Sequence, residues 1–97
     1  MARTNDTKKV IWRINDALEV VRRQALKRQL LLNHAFDFNA DGTISLWVRV
    51  INNDHDEVLS VYITDMMNNL DKVTDTISKA TALAEFYTKE KLPDIEF

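Results

Sequence analysis

The spacing of apolar residues changes twice along this chain, from the helical period to a period of two and back. Between Asp6 and Gln29, Val10, Ile11, Ile14, Leu18, Val21 and Ala25 recur every three or four residues. At about 100° of turn per residue they form one apolar stripe, with Lys9, Arg13, Arg23 and Lys27 on the opposite side. Asn5 or Asp6 is placed to cap this helix, its side-chain oxygen accepting the unpaired N–H groups of the first turn. From Leu30 the period is two: Leu30, Leu32, His34, Phe36 and Phe38 alternate with Leu31, Asn33, Ala35, Asp37 and Asn39. That pattern predicts a half-buried strand. Asn39-Ala40-Asp41-Gly42 then offers residues that tolerate positive φ, as a turn needs.

A second strand follows, with Ile44, Leu46, Val48 and Val50 on one face and Ser45, Trp47 and Arg49 on the other. Asn52 to Asp56 is a second polar turn. The third strand, Glu57 to Thr64, is expected to turn Leu59, Val61 and Ile63 one way and Val58, Ser60 and Tyr62 the other. Helical spacing returns from Met66 to Leu92, through Met66, Leu70, Val73, Ile77, Ala80, Ala84 and Tyr87. Thr64 or Asp65 is placed to cap this helix. Pro93 is expected to end it, because proline disfavours helical geometry in the residue before it. Residues 93–97 read as a short extended tail. The predicted class is α+β: helix, three-stranded antiparallel β-meander, long helix. Both helices have a stripe to bury, so both are expected on the sheet face of Leu30, Phe36, Leu46, Val48 and Val61. The opposite face is left open.

Ninety-seven residues suit a single α-β-β-β-α domain spanning 1–97, and 45% hydrophobic with 29% charged residues is a folding composition. The absence of cysteine excludes disulfides and thiolate metal sites. No stretch approaches the roughly 18 apolar residues of a membrane span, and the first residues lack the apolar core of a signal peptide. A cytoplasmic protein without a membrane partner is expected. The net charge of −2 hides a polarity: residues 1–52 carry nine Lys/Arg and five Asp/Glu, and the remainder four and ten. Such an imbalance speaks to partners or self-association, not to fold.

Few residues offer chemistry. Asp37, Asn39 and Asp41, followed by Gly42, Ile44 and Ser45, match the first nine positions of a helix–loop–helix calcium loop. Position 12, which should be a bidentate Glu, is Val48, and the flanks alternate like strands. A hairpin turn is the preferred reading, a calcium-modulated module the third in rank, and no cofactor is expected. His34 sits on the apolar face and reads as a hydrogen-bonded core residue, and His55, between Asp54 and Asp56, as part of a solvated turn. No nucleophile–base pair, paired-carboxylate pocket or phosphate-cradling glycine loop is present in the pattern, which points away from an enzyme. The basic side of the first helix (Lys9, Arg13, Arg23, Lys27, with Arg22 and Arg28 beside it) could track phosphates, although Asp16 and Glu19 interrupt it. Trp47, Arg49 and Tyr62 fall together on the non-core face of the sheet. They are residue types enriched where proteins bind one another, so a protein partner or a second copy of the chain is expected there.

Two resemblances follow from these residues. The segment from Ile44 to about Phe86, with Arg49-Val50 leading into Asn52-Asn53-Asp54 and then a strand and a helix, resembles the sheet-and-helix part of small type II-A anti-CRISPR inhibitors of phage. That resemblance implies an acidic protein occupying a nucleic-acid-binding surface of a host nucleic-acid-handling complex. Asp54, Asp56, Glu57, Asp65, Asp71 and Asp75 would be the matching acidic patch. The helix–three strands–helix order is also similar to YbaB-type nucleoid-associated proteins, which implies a dimer binding DNA through the first helix. The leading expectation is a non-enzymatic protein-binding module of inhibitor type, with the nucleoid-type protein as its alternative.

Overall fold

A computed structural model describes residues 2–88, and the tail expected over Pro93–Phe97 lies outside them. The order is α1 (Ala2–Leu26), β1 (Leu31–Phe38), β2 (Ile44–Ile51), β3 (Glu57–Ile63), a 3₁₀ turn (Met66–Asn68) and α2 (Leu70–Phe86). The strands form one antiparallel sheet in the order β1-β2-β3. Ile14, Leu18, Val21 and Ala25 of α1 and Val73, Ala80 and Ala84 of α2 share one core with Leu32, Leu46, Val48, Val50 and Ile63 of the sheet. Both helices therefore cover the same sheet face, as the two stripes require.

Both helix boundaries depart from expectation. Helix α1 begins at Ala2, so Asn5 and Asp6 lie inside it and do not cap it. Its other end closes on Gln29, whose φ is 62°. The Gln29 N–H donates to the Leu26 carbonyl and the Leu30 N–H to the Ala25 carbonyl, both at 3.0 Å. Those bonds satisfy carbonyls that a helix end would leave orphaned, and they seat Leu30 in the core. The second helix starts at Leu70, four residues later than predicted. Asp65 is left-handed at φ 48° and makes no cap. Instead Asn69 folds back, its amide donating to the carbonyls of Thr64 and Asp65 at 3.0 Å each. The helix stops at Phe86, not Leu92, because Tyr87 is extended at φ −62° and ψ 130°.

The strand register holds with one exception. Ile51 pairs with Glu57 and Val50 with Leu59, so Val58 is an extra residue on β3. This bulge turns Val58 toward the helices beside Leu59, and not toward the open face as alternation predicts. The two hairpin turns share one design. Asn39 N–H bonds to the Thr43 carbonyl at 2.9 Å and Asn52 N–H to the Asp56 carbonyl at 2.9 Å, each enclosing three residues. The third of these is left-handed in both, Gly42 at φ 90° and His55 at φ 70°. A methyl group added at Gly42 would meet nothing within 4 Å, so only the backbone strains. Gly42→Ala is expected to lower stability by about 1–2 kcal/mol in urea unfolding.

Because each helix runs against its neighbouring strand, and β1 and β3 run the same way, α1 and α2 are parallel. Their C-terminal ends meet at one corner. There the Arg28 guanidinium donates from Nε to the Ala84 carbonyl at 2.9 Å and from a terminal nitrogen to the Tyr87 carbonyl at 3.2 Å. The Asn52 amide bonds the Tyr87 hydroxyl at 3.1 Å, tying the β2–β3 turn to the same corner.

Candidate protein-contact face

Register decides which side chains share the uncovered face. Trp47, at the centre of β2, lies opposite Ala35 on β1 and Tyr62 on β3, and Arg49 lies opposite Asn33 and Ser60. The sheet thus brings together all three residues expected to contact a partner. Tyr62 is 54% exposed and Leu31, on the same face, 55%; Trp47 and Arg49 are half-buried. The Arg49 guanidinium carbon stands 5.7 Å from the Trp47 ring centroid. Its Nε is 2.6 Å from a Glu57 carboxylate oxygen. That Nε is shut off from solvent and has no hydrogen-bond partner of acceptable angle, so the pair is a close ion contact and not an aligned bond. With both side chains more than a third exposed, it contributes at most about 1 kcal/mol. Its larger effect is to hold the guanidinium beside the indole.

The face is closed at one end by a small polar network. Asn39 donates from its amide to the hydroxyls of Thr43 and Ser45, both at 3.0 Å, and Ser45 is buried beneath it. The Asp41 carboxylate accepts from the Thr43 N–H at 3.0 Å and the Thr43 hydroxyl at 2.7 Å, which holds its pKa below the usual value. Asp37 belongs to β1 and pairs with Ser45 across the ladder. Asp37, Asn39 and Asp41 are thus parts of a hairpin, and among the described residues no three His, Cys, Asp or Glu side chains converge as a metal site would need.

The acidic stretch does not form the single patch that sequence adjacency implied. Asp54, Asp56 and Glu57 gather at the β2–β3 turn, while Asp65, Asp71 and Asp75 follow the far end of β3. Seven residues of strand, roughly 20 Å, separate the two groups. Asp75 is also paired with Lys79 at 3.1 Å. Only the turn group borders the Trp47 face, through Glu57. Lys9, Arg13 and Arg23 on α1, and Lys27 just after it, are all exposed. Arg22 is taken up by Glu19 at 2.7 Å, the main reason that carboxyl titrates below its usual value.

His34 points to the helices, as its place on the apolar face predicts. Its Nε2 is 2.8 Å from Asn15 Oδ1, and its ring meets Phe36 edge-on at 5.9 Å. Burial, as the largest cause, pushes the imidazole below its ordinary pKa; Glu19 opposes this and Arg22 adds to it. The unfolded chain therefore takes up this proton first, and stability falls as pH drops through about 6.5. Melting temperatures between about pH 7.5 and pH 6 should fall for the wild type and change less for His34→Gln.

Four exposed apolar residues, Trp12, Val20, Leu26 and Phe86, had no structural place in the sequence reading, and Phe38, assigned to the covered face, is exposed as well. The signal for Trp12 was present, since at 100° per residue it falls far from the Ile14–Leu18 stripe. No helix of the described residues is long and apolar enough to cross a membrane. No family model, curated protein or solved structure matches this chain.

Proposed function

We propose that the protein is a non-enzymatic binding module that grips a protein partner with the open face of its sheet. One observation carries this reading: Trp47, Arg49 and Tyr62 stand side by side across two strands on a face that neither helix covers. An indole and a phenol fixed by a sheet offer large, rigid contact area at little entropic cost, and a guanidinium beside them supplies direction. Asp54, Asp56 and Glu57 edge the face with negative charge, which favours a partner with a basic rim. A host complex that handles nucleic acid presents such a surface, so inhibition by occupying it fits the charge.

A second reading has its own support. Lys9, Arg13, Arg23 and Lys27 have no ion-pair partner among the described residues; the first three extend over about 21 Å of α1 at 1.5 Å per residue, and Lys27 follows just past its end. That length suits a phosphate backbone. One experiment separates the two: capture from host lysate with wild type, Trp47→Ala and Arg23→Glu as baits. The first reading expects a protein lost from Trp47→Ala and kept by Arg23→Glu. The reverse pattern, or nuclease-sensitive capture, favours the helix.

A further inference from the structure

The uncovered hydrogen-bonding edge of the sheet lies beside three of the molecule's exposed large apolar side chains, Trp12, Leu26 and Phe38. The Asn39–Thr43 bond makes every second pair of the β1–β2 ladder the bonded kind. The N–H and C=O groups of Leu32, His34, Phe36 and Phe38 accordingly point away from β2, and no described backbone group pairs with them. The other edge, β3, is broken by the Val58 bulge. Strand β1 has eight regular residues with no bulge, proline, lysine or arginine, and Asp37 near its end is its one charged guard against edge pairing.

The flank above this edge is apolar at both ends. Trp12, Asn15, Glu19, Arg22 and Leu26 form one stripe of α1 by their 3-4 spacing. The Asn15–His34 bond sets that stripe on the β1 side. Trp12 (65% exposed) and Phe38 (71%) mark the end toward the β1–β2 turn, and Leu26 (45%) marks the other, with Leu31 (55%) at that end of the strand but on the open face. An antiparallel two-fold brings each end of one copy against the opposite end of the other, so the flank is complementary to itself.

We propose that β1 pairs antiparallel with β1 of a second copy about a two-fold axis at Ala35, joining two three-stranded sheets into one of six strands. Side-chain alternation allows the axis only at a residue, not between residues, if both copies are to keep their helices on the same face. At Ala35 the outward groups of Leu32 and His34 meet those of Phe38 and Phe36 of the other copy. The smallest side chain of the strand then sits at the crossing, and Phe38 is covered. The two Trp47 faces become one continuous surface. This pairing uses the edge and not the face, so it stands or falls apart from the partner reading above.

Sedimentation equilibrium of the full chain should give about twice 11.3 kDa, and Phe38→Lys should weaken the dimer at least about tenfold. The chain has no cysteine, so one introduced thiol reports on its symmetry mate alone. Opposed residues of a non-bonded antiparallel pair have Cα atoms about 4.5 Å apart, within disulfide reach. Under mild oxidation Ala35→Cys should cross-link, and Ser60→Cys, two strands from the axis, should not. A monomer mass at the highest soluble concentration overturns the proposal. So does a dimer mass with Ala35→Cys cross-linking no faster than Ser60→Cys.

Discussion

Replacing Arg28 by alanine should lower stability by about 1.5–3 kcal/mol, the range for hydrogen bonds from a charged donor. For a domain of this size that is a fall in melting temperature of roughly 6–24 °C. The reason lies in the parallel arrangement of α1 and α2. Two helix C-termini, each carrying partial negative charge, converge where Arg28 binds the Ala84 and Tyr87 carbonyls. Without the guanidinium, those carbonyls lose donors that no neighbouring side chain replaces among the bonds described. Arg28→Lys should recover less than half of the loss, since one ammonium cannot reproduce a planar fork reaching two acceptors. Scanning calorimetry of the three proteins checks this. Equal melting temperatures would remove the corner from the account of stability.

Trp47→Ala should weaken partner binding by at least about 2 kcal/mol, some 30-fold, if Trp47 is the anchor of the contact face. Its cost to folding should be smaller. Trp47 is half-buried on the open side, and its cross-strand contact with Tyr62 contributes about 1 kcal/mol or less. Leu46 is its neighbour in sequence but is fully buried on the opposite face. Leu46→Ala should cost about 2–5 kcal/mol of stability through the cavity it opens. Wherever that variant remains folded, binding should be retained. Two adjacent substitutions with opposite effects on stability and binding are the signature of a sheet covered on one side only.

The parts of the fold set by repeated local pattern were legible in the residues. The Ile14–Ala25 stripe, the three alternating strands and the turn at Gly42 each follow from side-chain periodicity or turn chemistry, and the structure has them. The Trp47–Arg49–Tyr62 face was legible for the same reason, since alternation places all three without knowledge of the helices. What escaped depends on contacts between distant residues or on locally ambiguous pattern. Helical spacing runs unbroken through Met66, Leu70 and Val73, yet Asn69 binds the Thr64 and Asp65 carbonyls and interrupts the helix. The end at Phe86 is met by Arg28, 56 positions from Ala84, which no local window contains. The Val58 bulge was hidden because Val58 and Leu59 are both apolar, so a slip between them leaves the pattern unchanged. The acidic run misled because neighbours in sequence on either side of a strand lie at opposite ends of it.

Hydroxyl-radical footprinting of the free chain and of its complex with the captured partner tests the contact face most directly. Trp47 and Tyr62 should be oxidised in the free protein and protected in the complex, with Lys9, Arg13 and Arg23 unchanged. Protection confined to α1, or a Trp47 already unreactive in the free protein, would contradict the assignment of the open sheet face as the binding surface.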